Sequence, residues 1–147
     1  MAPHPDDTRR EINNQLSFAL YGAANRMIRM HKPFLTPMGL TFPQYLVMVE
    51  LLNDSPRSVG ELGAKVGMDT GTITPLLKRL EQSGMVSRRR DAADDRRVLV
   101  ELTPTGEAMR ERIWAVPDQI NSACRITDER ANEIRETLDE MGRSVKS

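Results

Sequence analysis

The sequence predicts a mainly α fold (α+β): a winged helix-turn-helix with N- and C-terminal dimerisation helices. Three observations predict it. Two short helical patterns meet across a tight break at Gly67-Met68. Two strand-like segments bracket the turn-rich stretch DAADDR. The first and last helical stretches carry apolar faces suited to packing on another helix.

The elements follow in order. Residues 1–8 read as a polar tail, in which His4 carries no signal. Ile12, Leu16, Ala19, Ala23, Met27 and Met30 then recur at helical spacing up to Lys32-Pro33. Phe18, Leu20 and Ile28 make the other side of this helix apolar too, which in a 147-residue chain points to a partner subunit. Thr41-Phe42-Pro43 starts a second helix with its core face on Tyr45, Leu46, Met48, Val49 and Leu52. Ser58 and Glu61 form a capping box for a third, lined by Val59, Leu62 and Val66.

Asp69 or Thr70 caps the fourth helix, DTGTITPLLKRL, and Gly84 ends it. Met85–Arg90 and Arg97–Leu102 form the hairpin. Thr103-Pro104 opens a fifth helix through Met109, Ile113, Val116 and Ile120, kinked at Pro117. Thr127 caps the last, whose seam is Ala131, Ile134, Leu138, Met141 and Val145. One domain is expected over 1–147, with dimerisation helices at about 9–33 and 105–146 and the winged lobe at about 42–103.

The fourth helix carries the chemistry. Three threonines, a glycine and a proline are poor helix formers, so its front half is chosen for something other than helix stability. On a helical wheel Ile73, Leu76, Leu77 and Leu80 point inward. Thr70, Gly71, Thr72, Thr74, Pro75, Lys78 and Arg79 lie on or flank the outer face. That face is small near its N-terminus and basic further along, the form a helix needs to approach base edges in a major groove while cations meet phosphates. Threonine offers a hydroxyl to bases or phosphate and a methyl to thymine.

Charge supports this. The whole chain is balanced, with 21 Lys+Arg and 21 Asp+Glu. Locally it is polarised: residues 78–97 hold seven basic and four acidic groups, whereas 101–147 hold ten acidic and seven basic. A basic patch on a neutral protein is the footprint of a phosphate-binding surface, and Arg88, Arg90 and Arg96 are its candidate wing contacts.

The run MDTGTITPLLKRLEQSGMVSRRRDAADDRRVLVELTPTG resembles the winged helix-turn-helix of the MarR family of bacterial transcriptional regulators. The family's wing pattern matches Asp94, Arg96, Val98 to Val100, Leu102-Thr103 and Gly106. The resemblance implies a homodimer on a pseudo-palindromic double-stranded DNA operator, with Arg96 reaching the minor groove, Asp94 bracing it, and release by a small-molecule effector. NNQLSFALY, LTFPQYLVM and DTGTITPLLKRLEQSG resemble the organic-hydroperoxide sensors of that family most. Where that branch carries its reactive cysteine, this chain has Ser17; two tyrosines there correspond to His31 and Phe42, while Tyr21 is retained. An alcohol forms no sulfenic acid, so peroxide sensing does not carry over. Natural divergence accounts for all three changes together, which a single engineered substitution does not. Ser17, Tyr21, His31 and Phe42 are therefore a candidate effector pocket. The plain alternatives are a helix serine bonding its own backbone, a structural histidine, and a protein regulated little or not at all.

Cys124 is the single cysteine and the candidate redox group. It lies about two residues off the second cysteine of some sensors and lacks a partner, and an inert thiol is the simpler reading. No phosphate-cradling glycine loop and no paired Cys or His at metal spacing is present in the sequence, so neither a cofactor, a metal nor an enzyme is expected. The absence of a signal-like segment, a long apolar run and paired cysteines predicts a cytoplasmic protein without a membrane partner. A protein-docking winged helix or a constitutive DNA binder are the competing classes. Cations clustered on both the fourth helix and the wing speak against the first.

Overall fold

The computed structural model describes residues 8 and 10–144. Residues 1–7 of the polar tail and Val145 of the expected last seam lie outside them. A 3-10 turn, Ile12–Asn14, precedes helix α1, Leu16–Leu35, and a second turn, Thr36–Met38, leads to α2, Phe42–Asn53. Strand β1, Arg57–Ser58, runs straight into α3, Val59–Val66, and α4 follows at Thr70–Gln82. The hairpin is β2, Val86–Arg90, and β3, Val98–Leu102. Three short helices, α5 (Pro104–Glu107), α6 (Arg110–Trp114) and α7 (Val116–Cys124), lead to α8, Asp128–Ser144. The architecture is the expected winged helix-turn-helix, mainly helical with a small antiparallel sheet.

Local chemistry sets the boundaries. Thr41 and Gln44 close a capping box on α2, and Ser58 and Glu61 close another on α3. Gly67, at φ 73°, ends α3 in the left-handed conformation glycine adopts freely, and this lets the chain turn directly into α4. The Asp69 side chain accepts a hydrogen bond from the Thr72 amide at 2.8 Å and caps α4.

Three departures from the sequence reading have physical reasons. α1 starts at Leu16 instead of near residue 9, because Gln15 is extended (φ −92°, ψ 130°) and breaks the helix after the first turn. It also runs through Pro33 to Leu35, since proline removes one donor without preventing a further half turn. The expected fifth helix is three pieces. The Met109 amide bonds to Gly106, three residues back, which tightens the turn, and Pro117 has no N–H to offer the Ile113 carbonyl.

The third departure is a missed strand. β1 pairs antiparallel with β3, Arg57 opposite Val100 and Ser58 opposite Leu99, giving the order β1-β3-β2. Two residues carry no alternation to read.

The core joins α2, the helix-turn-helix and the sheet. Val47, Met48, Leu62, Ile73, Leu77 and Val100 are fully buried there, and Ile113 and Val116 extend it towards the C-terminal helices. The inward face predicted for α4, Ile73, Leu76, Leu77 and Leu80, is the buried one.

Gly106 shows how closely the wing packs on α5. A Cβ there would stand 2.1 Å from the Met85 carbonyl oxygen and 3.1 Å from Leu102 Cδ2, and that carbonyl already accepts the Thr103 amide at 3.1 Å. Gly106→Ala is therefore expected to destabilise the fold by about 2 kcal/mol or more. Gly71→Ala, whose added Cβ would meet its nearest atom, an Asp69 oxygen, at an ordinary 3.6 Å, should melt like the wild type. Denaturant unfolding of the two variants checks both expectations.

By contrast, α1 and α8 leave their apolar faces uncovered. Tyr21 is 68% exposed, and Leu16, Phe18, Met27 and Ile28 are exposed with it. α8 buries none of its described residues, and Ile134, Leu138 and Met141 all face outward.

Candidate nucleic-acid interface

α4 and the wing stand side by side because β2 follows α4 after a single turn at Gly84, φ 82°. The helix presents Thr70, Gly71, Thr72, Pro75, Lys78 and Arg79 as exposed residues, with Thr74 half-buried at the edge of the same face. Hydrogen bonds from the Thr72 hydroxyl and amide hold the Asp69 carboxyl below the usual carboxylate range, so the cap is ionised at neutral pH. A groove of about 330 Å³ separates the helix from the wing and is lined by Ser58, Gly60, Thr70, Thr74, Arg88, Arg96 and Arg97. Residues far apart in the chain thus converge on one surface.

The wing arginines divide into free and tethered groups. Arg96 is 93% exposed at the hairpin tip and meets Asp94 only at 3.5 Å, while the Asp94 carboxylate accepts the Arg96 backbone amide at 3.0 Å. Arg90 donates from Nη1 to the Asp95 carbonyl at 2.7 Å, which closes the tip. Arg89 lies 3.6 Å from Glu101 across the hairpin.

Arg88, expected among the DNA contacts, lines the groove and is at the same time clasped by Glu81 of α4. Its Nη2 donates to Oε1 at 3.0 Å and its amide to Oε2 at 3.1 Å. Its Nε is buried without a hydrogen-bond partner. The ion pair with Arg88 keeps the Glu81 carboxyl below its ordinary range. Strand alternation carried this signal: Val86 faces the core, so Arg88, two residues on, takes the same side, opposite the buried Val100.

Sequence reasoning also missed the tether between the wing and α3. Arg97 Nη2 donates to Glu61 Oε1 at 2.6 Å, and Glu61 Oε2 accepts from Arg57 Nε at 3.2 Å. Arg57 in turn donates to Glu50 at 2.7 Å. Hydrogen bonding from Arg57 first, and the charge of Arg97 further, lower the Glu61 carboxyl below its usual range. Glu61 was read only as half of a capping box.

The candidate effector residues fall into two separate groups. His31 is buried, packs in a T-shaped arrangement with Phe42 at a ring-centroid distance of 4.8 Å and lies 5.7 Å from Tyr45. Its Nδ1–H donates to the Met27 carbonyl at 2.7 Å, as a satisfied helix histidine does. Ser17 and Tyr21 are exposed near the start of α1. Fourteen residues of helix, about 21 Å at 1.5 Å per residue, separate Ser17 from His31. The four do not meet within one chain. Phe42 does border a cavity of about 260 Å³ lined also by Ile28, Arg29, Lys32, Leu35 and Leu40. Cys124 is half-buried on α7, its sulfur 3.7 Å from that of Met30 on α1.

Fold and surface together define a winged helix-turn-helix protein of the transcription-regulator class. The family described as transcriptional regulator SarA/Rot matches residues 29–113. The organic hydroperoxide resistance transcriptional regulator of Bacillus subtilis is 34% identical over 128 residues, 87% of each chain. The HTH-type transcriptional regulator TtmR of Methylorubrum extorquens is 38% identical over 135 residues, 92% of this chain and 68% of that protein. The structure of reduced AbfR bound to DNA superposes with a TM-score of 0.78 at 28% identity, covering 96% of this chain and 99% of that one. The chain belongs to the MarR/SarA family of transcriptional regulators.

Proposed function

We propose that the protein is a homodimeric repressor, with no enzymatic activity of its own, that acts in the cytoplasm on a pseudo-palindromic operator and releases it on binding an effector. One observation carries the reading: the exposed Thr/Lys/Arg face of α4 lies beside a fully solvated Arg96 on the wing. Thr70, Gly71, Thr72, Thr74, Pro75, Lys78 and Arg79 enter the major groove in this reading, and Arg96, set by Asp94, enters the minor groove. AbfR, related in fold and sequence, is found on DNA, which supports it.

The dimer is formed by α1 with the C-terminal helices, whose uncovered apolar faces need a partner, and the lobe at about 42–103 meets DNA. Two lobes on successive major grooves require half-sites about 34–36 Å apart. A ligand that shifted α1 against the lobe would change that spacing and release the operator. The cavity beside Phe42 suits a small organic anion, with apolar walls from Ile28, Leu35 and Leu40 and cations at Arg29 and Lys32.

The test is fluorescence anisotropy on duplexes from the protein's own upstream region. Thr74→Val should change preference among single-base variants of the site by roughly 1–3 kcal/mol at one position while leaving the salt slope intact. Equal loss on every variant would remove Thr74 from base readout.

A further inference from the structure

We propose that Glu61 is a positioning residue for DNA binding: through Arg97 and Arg57 it locks the wing to the helix-turn-helix so that Arg96 and the α4 face present one surface. The proposal rests on the DNA-binding reading above and adds a residue that no DNA contact would reveal.

Two elements, the wing and β1, converge on this one carboxylate of α3. Oε1 accepts from Arg97 at the loop end of the wing at 2.6 Å, and Oε2 accepts from Arg57 on β1 at 3.2 Å and from the Ser58 amide at 3.5 Å. Arg57 is itself anchored to Glu50 of α2 at 2.7 Å, and Arg97 stands 4.0 Å from Asp91, which faces it across the loop end of the hairpin. The chain of charges therefore runs from the core helix α2, through the N-terminus of α3, to the loop end of the wing. The neighbours Arg96 and Arg97 have opposite assignments. Arg96 projects into solvent, whereas Arg97 is turned back onto the lobe and sets where its neighbour points. Arg97 lines the groove facing α4 together with Val59 and Gly60 of α3, so a wing released from this tether would change the width of the groove.

Simple electrostatics and positioning predict opposite signs here. Deleting a carboxylate beside a phosphate-binding surface should tighten DNA binding by reducing repulsion. If Glu61 holds the wing, deletion should weaken it. Glu61→Gln is a clean variant because glutamine serves equally in a capping box, so α3 keeps its cap and loses only the charge pair.

The experiment uses the full chain as wild type, Glu61→Gln, Arg97→Gln and the double variant. Anisotropy is measured on a labelled duplex from the upstream region across a salt series, together with amide hydrogen exchange of residues 88–98. Each single variant is expected to lose roughly three- to fivefold in affinity, the scale of a networked surface ion pair, at an unchanged salt slope. The double variant should lose no more than either single one, because both remove the same link. Exchange across the wing should quicken in Glu61→Gln while the melting temperature stays near that of the wild type. Tighter or equal binding by Glu61→Gln overturns the proposal. So does a slope flattened by about one in Arg97→Gln, which would make Arg97 a phosphate contact. If the wild type itself fails to bind, the DNA reading falls, and exchange alone decides the lock: faster wing exchange in Glu61→Gln supports it, unchanged exchange overturns it.

Discussion

Arg96→Ala is expected to weaken binding to every duplex by on the order of tenfold and to flatten the salt dependence by about one unit of slope. The expectation follows from how its charge is held. At 93% exposed and 3.5 Å from Asp94, Arg96 is nearly free in solution, so little is lost inside the protein when it engages a phosphate or a narrow minor groove. The tethered wing arginines differ, since moving Arg88 outward would strip Glu81 of its partner and leave a half-buried carboxylate behind. Truncating Arg96 removes no packing, so the melting temperature should hold while affinity falls. Unchanged affinity and slope would mean that the wing tip does not touch DNA. A loss confined to one base sequence would mean direct readout in place of backbone and shape recognition.

The parts legible in the sequence were those with a local cause. The α4 inner face follows from four apolar residues at helical spacing, and the caps at Ser58 and Asp69 follow from side chains that reach only three residues. Even the outward threonines are a consequence of the same wheel. What stayed hidden depended on contacts across the chain. Glu81 and Arg88 are separated by a turn, Glu61 and Arg97 by 36 positions, and nothing in either neighbourhood says which acid will claim which arginine. β1 was invisible for a related reason, since two residues become a strand only because β3 lies beside them. The proposed effector residues depend on more than one chain. A resemblance grouped Ser17 with His31, but a straight helix keeps them apart in one chain, and only a second copy could bring such positions together.

Ile134→Glu combined with Leu138→Glu is expected to convert the protein to a monomer and to reduce operator affinity by roughly a hundredfold or more. α8 has seventeen residues, none of the described ones buried, and a repeating apolar seam at Ile134, Leu138 and Met141. A protein helix draws most of its stability from packing its amphipathic face, so something must cover the seam for it to persist. α1 presents a matching need, with Leu16, Phe18, Met27 and Ile28 exposed on the same chain. Two copies that exchange these faces satisfy both. Carboxylates placed in the seam would have to be buried without partners, which costs far more than the packing they replace. Once the subunits part, the second half-site is no longer delivered at high effective concentration, and the loss of that linkage accounts for a factor of 10² or more without any change at the α4 surface. Sedimentation equilibrium and anisotropy on the same samples check this, and circular dichroism should show helix lost from α8 while the buried lobe still melts cooperatively. A double variant that remained dimeric and bound DNA at full strength would place the subunit interface elsewhere and leave α8 without a role in assembly.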